Sequence, residues 1–208
     1  MTIRLGMISW ATGTLMLVAV AACASSSSDA DPSSSPPVSS SVPTAASSSP
    51  SPRSDSGVAS ATAEDVVSRY FTVLDGLRQD PSKPVKHLSS VATSTQLTAQ
   101  TRLLTTERSQ GLRQVGTTRV AEMTVQSVSL DNSDPSAGKV PTVTVDVCWD
   151  VSNADLIDQS GKSVVSRSRA STGWTRYTVA NYDWSENPSS GWRIATSQDL
   201  KQTPCAAS

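Results

Sequence analysis

The chain has 208 residues, with 17 Lys+Arg against 18 Asp+Glu and a formal net charge of −1, and it contains five Trp, one His and three Cys. So even a balance, with no long basic stretch and no interleaving of basic and aromatic residues, argues against a nucleic-acid binder. No metal-ligand cluster, Gly-rich phosphate loop or Ser/His/Asp constellation can be assembled from the spacing, so no catalytic, metal-binding or cofactor-binding residue is assigned.

In chain order, Arg4 and the amino terminus precede an apolar run, Leu5 to Val20, that stops at Val20-Ala21-Ala22-Cys23. A charged end, an apolar middle and a small-residue cleavage region are the layout of an export signal. The final four residues resemble the lipobox of bacterial lipoproteins. That resemblance implies diacylglyceryl transfer to the Cys23 thiol, cleavage after Ala22 and residence at the extracytoplasmic side of the cell membrane. Dual acylation is a stable anchor, because each buried CH₂ contributes about 0.8 kcal/mol and one chain alone binds only marginally. The alternatives are a plain secretory signal and an uncleaved membrane helix, for which the run is short. Removal of residues 1–22 takes Arg4 and no acid, leaving 16 bases against 18 acids.

From Ala24 to about Ser60 the chain is nearly all Ser, Pro, Ala and Thr, as in Ser47-Ser48-Ser49-Pro50-Ser51-Pro52. It carries too little apolar side chain to offset the entropy of ordering and reads as a disordered tether, assigned to residues 23–61, with a reach of roughly 35 Å.

The folded domain is expected over residues 62–208. Thr62-Ala63-Glu64-Asp65 offers a cap and acids for a first turn, and Val67, Tyr70, Phe71, Leu74 and Leu77 recur at helical spacing before Pro81. A Pro-bounded piece around Val85 to Val91 is a short helix or turn. A second helix is expected from Ser94 to Gln114, with Leu97, Leu103, Leu104 and Leu112 apolar and Gln96, Gln100, Arg102 and Glu107 polar; Gly116 would terminate it.

After Gly116 the period becomes two. Val120, Met123, Val125, Val128 and Leu130 form a strand whose alternation slips near Gln126-Ser127, the mark of a bulge. The clearest strand is Thr142 to Val151, with Val143, Val145, Val147, Trp149 and Val151 on one face and Thr144, Asp146, Cys148 and Asp150 on the other. Asn153 to Lys162 reads as a loop, Ser168 to Ala180 as a third strand and Trp192 to Thr196 as a fourth. Helices followed by consecutive antiparallel strands make an α+β domain with helices packed on a sheet of about four strands.

Three cysteines would leave one unpaired in an exported protein. If Cys23 is lipidated, Cys148 and Cys205 remain as a pair, whose bridge would stabilise by roughly 4 kcal/mol in the chain-entropy model; two buried free thiols are the alternative. The order of helices and bent strands from Thr62 to Cys205 resembles the cone-shaped fold of nuclear transport factor 2 and ketosteroid isomerase. The run Val145-Asp146-Val147-Cys148-Trp149-Asp150-Val151-Ser152, followed by Asp158-Gln159-Ser160-Gly161, Gly191-Trp192-Arg193-Ile194 and Cys205, is similar to actinobacterial exported lipoproteins of that fold, which implies a location and leaves activity open.

Acid-base candidates are few. His87 is the only histidine and reads as a surface residue. Asp146 and Asp150 share a strand face about 13 Å apart, too far to share a proton, and read as solvated. Trp149 reads as core, whereas Trp174, Trp184 and Trp192 are the candidate contact surface, with Trp184 the most exposed. The expected function is a lipid-anchored envelope protein whose domain binds a protein or a small apolar ligand. The alternatives are an enzyme using an internal acid such as Glu107 or Asp150, and a subunit of an envelope assembly.

Overall fold

The computed structural model describes residues 54–203 together with Cys205. The export signal, Cys23 and the Ser/Pro-rich segment before Ser54 lie outside the described residues. Helix α1 spans Asp55–Gln79 and so begins well before the expected Thr62, inside the segment assigned to the tether. Ser54 caps it, its hydroxyl accepting from the Gly57 amide at 3.2 Å, and Asp55 places an acid in the first turn. The Ser/Ala composition concealed this start. Ala59 and Ala63 are buried, and the hydroxyls of Ser60, Thr62, Ser68 and Thr72 donate to carbonyls four residues back. Beyond them the expected stripe is buried as read, through Val67, Tyr70, Phe71, Leu74 and Leu77.

A 3-10 helix, Val85–Ser90, buries Leu88, and helix α2 follows at Ser94–Ser109. It stops short of the expected Gln114 because Gly111 turns left-handed, φ 68°, and the Leu112 amide donates to the Glu107 carbonyl at 2.9 Å. Strand β1, Arg113–Val115, then pairs antiparallel with β4, Asp155–Ile157. Both were expected as helix end and loop, since three residues are too few to display a period. Gly116 is a close approach rather than a helix stop: at φ 73° a side chain there would run into the Asn153 carbonyl.

The larger sheet contains the four expected strands, β2 (Arg119–Ser129), β3 (Thr142–Asp150), β5 (Thr172–Asn181) and β6 (Trp192–Leu200), in that order and antiparallel throughout. Register shifts at Ala121 and at Gln126, the second where the alternation slips, bend β2. Beyond β6, Ala92 bridges in parallel to Ile194, with Thr93 N donating to Ile194 O at 2.8 Å.

Both helices cover one face of this sheet. Val66, Val67, Tyr70, Phe71 and Leu74 of α1 pack in one cluster with Val143, Val145, Val147, Tyr177, Val179 and Ile194. Complete burial of such a side chain contributes about 1.5–3 kcal/mol. Among the described residues, no helix is long and apolar enough to cross a membrane.

The other face overturns the reading of Asp146 and Asp150 as solvated. They do point away from the helices, yet they are only 4% and 3% exposed. Arg176, opposite Asp146 in register, donates through Nε and a terminal nitrogen to its two oxygens at 2.6 and 2.8 Å. That bond holds the Arg176 guanidinium above its ordinary pKa. Arg119 donates to Asp150 at 3.0 Å, as do the Ser152 amide and hydroxyl at 2.8 and 2.6 Å. A carboxylate excluded from water must be met in this way. Between the two ion pairs Cys148 is disulfide-bonded to Cys205, with Cα atoms 6.2 Å apart, so the chain beyond β6 is fastened to the middle of this face. Trp174 Nε1 donating to Thr203 O at 3.2 Å and Thr172 Oγ1 donating to Cys205 O at 3.1 Å complete the attachment.

Candidate functional site

The residues at Tyr70, Leu74 and Arg78 are four apart on α1 and therefore lie along one line of the helix. That line, with Phe71, borders a cavity of about 310 Å³ between the helices and the sheet. Trp149 of β3, Val151 just beyond it, Tyr177 of β5, Gln100 of α2, Thr118 and Arg169 complete the lining of what is an open cleft. The aromatic side chains are a packed group: Tyr70 meets Phe71 at 5.6 Å and Tyr177 at 5.8 Å between centroids, and Phe71 meets Tyr177 edge-on at 6.0 Å. Trp149 is half-buried and held by Nε1 donating to Thr175 Oγ1 at 3.0 Å, while Gly173 leaves room for its ring.

The polar part of the site comes from the face of α2 that its composition marks as solvated. Gln96 is buried: its Oε1 accepts from Ser197 Oγ at 2.7 Å and its Nε2 donates to Tyr70 Oη at 2.6 Å. Burial raises the Tyr70 pKa above its usual value, against the lowering effects of Gln96 and Arg78. Burial also raises that of Tyr177, with smaller contributions in the same direction from Tyr70 and Asp199. One turn beyond Gln96, the buried Oε1 of Gln100 has no hydrogen-bond partner among the described residues. A second, smaller cleft of about 180 Å³ shares Arg78, Thr118, Val151 and Arg169 and adds Glu107, Gln114 and Asp155. Arg78 and Glu107 are paired at 3.2 Å. Arg169 donates to the carbonyls of Val151 and Ala154 at 3.1 and 2.8 Å.

Behind this wall lies a group that sequence reasoning missed. Asp75 is 6% exposed and accepts from Gln114 Nε2 at 2.7 Å, from the Thr118 amide at 2.7 Å and from Thr118 Oγ1 at 2.9 Å. It ties α1 to the β1–β2 turn and sets the position of Thr118. Its position between Leu74 and Leu77 on the buried stripe was the available signal.

The other named residues are dispersed. Glu107 reaches the smaller cleft as an ion pair, whereas Asp150 lies on the opposite sheet face. His87 is exposed on the 3-10 helix. Trp192 is only 2% exposed and drops out as a contact residue, because it packs edge-to-face on Trp184 at 5.8 Å and donates through Nε1 to Pro188 O at 2.9 Å. That stacking leaves Trp184 half-buried beside Val58 and Ala59. Trp174, on the outer face, is occupied by Thr203. No group of three or more His, Cys, Asp or Glu able to hold a metal ion occurs among the described residues.

No family model and no curated protein matches the chain. Among solved structures it is similar to the crystal structure of the intermembrane space region of the chloroplast protein ARC6, at 25% identity and a TM-score of 0.46, over 72% of this chain and 98% of that one. A score at this level carries no argument about function.

Proposed function

We propose that the protein is a lipid-anchored cell-envelope protein whose domain, cone-shaped in the manner of nuclear transport factor 2, binds a small and largely apolar ligand between helices and sheet. The observation that carries this reading is the cavity bordered by Tyr70, Phe71, Trp149 and Tyr177, with the unpartnered Oε1 of Gln100 beside them. Its volume reaches the lower end of small-molecule sites, roughly 300–1,000 Å³. A buried acceptor without a partner costs about 1–3 kcal/mol, which an O–H or N–H of a bound molecule would relieve. Binding is favoured over catalysis because Glu107, the internal acid weighed for catalysis, is committed to Arg78, and Asp75 behind the wall is taken up by Gln114 and Thr118. The anchor rests on Val20-Ala21-Ala22-Cys23.

The pocket is tested with full-length protein in nanodiscs, titrated calorimetrically with 2-naphthol and corrected with empty discs. Saturable binding is expected, weakened about tenfold by Gln100→Leu and abolished by Ala170→Phe, which fills the mouth. Absence of binding, or binding indifferent to both substitutions, would overturn the reading. For the anchor, Cys23→Ala should abolish palmitate labelling and membrane retention. Undiminished labelling would defeat that assignment.

A further inference from the structure

We propose that the ligand of this cavity is an organic anion, an apolar ring or chain ending in a carboxylate, held with its acid against Arg169 and Arg78. The inference rests on the pocket reading above and adds the charge of its occupant. The residues that border the aromatic cavity include two guanidiniums and no carboxylate. Such asymmetry is notable in a chain whose acids outnumber its bases.

The two arginines differ in what they have left to offer. Arg169 uses one terminal nitrogen for the carbonyls of Val151 and Ala154, which fixes the plane of its fork; its Nε and other terminal nitrogen have no partner among the described residues. Arg78 engages Glu107 through Nε, so its terminal nitrogens are likewise unengaged there. Of the acids nearby, Asp75 lies behind the wall with its oxygens already taken by Gln114 and Thr118, and the others belong to the neighbouring cleft. Glu107 offsets the charge of Arg78, and Asp155 is occupied by the Leu156 amide at 2.8 Å and Ser163 Oγ at 2.8 Å. Arg169 is therefore the principal anion contact, with Arg78 assisting.

A planar guanidinium matches a carboxylate with two parallel N–H···O bonds, and a fork already pinned by carbonyls loses little freedom on binding. Arg169 is exposed and the ring group lies deeper, so the ligand enters with its apolar end first. The aromatic surfaces then exclude water from one side of the ion pair and strengthen it.

The test uses three probes with one body and different charge: 2-naphthoate, 2-naphthamide and 2-naphthylmethylammonium, titrated calorimetrically into full-length protein in nanodiscs with empty discs subtracted. Naphthoate is expected to bind about tenfold more tightly than either of the others, with an affinity that falls as salt is added. Arg169→Gln should erase the preference, so that naphthoate and the amide both still bind and lie within about twofold of each other, a readout that loss of folding would not give. Equal affinities, preference for the amine, or a naphthoate preference indifferent to Arg169→Gln would overturn the anion assignment and leave the pocket standing. Failure of all three probes and of 2-naphthol to bind would remove the pocket reading as well.

Discussion

Replacing Asp75 by Asn changes one atom and is expected to cost far more than its size suggests. The carboxylate receives three donors, Gln114 Nε2 and Thr118 Oγ1 on Oδ1 and the Thr118 amide on Oδ2. An amide has one acceptor oxygen, so in either orientation its NH₂ opposes at least one incoming N–H or O–H. Hydrogen bonds to a charged acceptor contribute about 1.5–3 kcal/mol each against about 0.5–1.5 for a neutral one, so the retained bonds also weaken. Offset by the easier burial of a neutral group, the net loss is about 2 kcal/mol. In a domain of this size that lowers Tm by roughly 4–8 °C. Urea denaturation followed by circular dichroism measures it. Thr118→Val, which removes one of the donors, should be non-additive with Asp75→Asn by at least about 0.5 kcal/mol. A change below about 0.5 kcal/mol for Asp75→Asn, or strict additivity in the cycle, would refute the assignment of Asp75 as the tie between α1 and the pocket wall. Because Thr118 borders the cavity, the same substitution should also weaken 2-naphthol binding.

Two further outcomes follow from the packing. Removing the Cys148–Cys205 bridge by Cys205→Ser should destabilise the domain by roughly 4 kcal/mol, and free-thiol titration of the denatured, unreduced wild type should find no reactive thiol at either position. Tyr70 and Tyr177 both have raised pKa values, chiefly from burial, so above pH 10 the unfolded chain releases phenolic protons that the folded domain retains. Their contribution is complete below the ordinary tyrosine pKa and is lost as pH rises beyond it, at up to about 1.4 kcal/mol per pH unit for each residue. Stability curves between pH 8 and 11 should fall less steeply in Tyr177→Phe than in the wild type; equal slopes would contradict the burial argument.

Much of the fold was legible in the residues. The stripe from Val67 to Leu77, the alternation of Val143, Val145 and Val147, the slip at Gln126 and the change of period after Gly116 each repeat along a face, and a repeating face is visible in sequence. The site was not legible for the same reason. Gln96, Gln100 and Glu107 form a polar line on α2, which composition assigns to solvent, while Leu103, 40% exposed, reads as core. Asp146 and Asp150 were placed on the correct face of β3, but their environment was not, since what covers them comes from Arg176, Arg119 and the distant Cys205. The brevity of β1 and β4 left no period to read, and only their pairing reveals them.

The sequence by itself determined which residues share a face, the α+β order of the elements and the cysteines available to pair. The tertiary structure alone decided which way each face looks and what meets it. Periodicity is a property of one element, whereas burial belongs to the meeting of two. A glutamine turned inward beside Tyr70 and a carboxylate turned outward beneath Arg176 differ only in those partners.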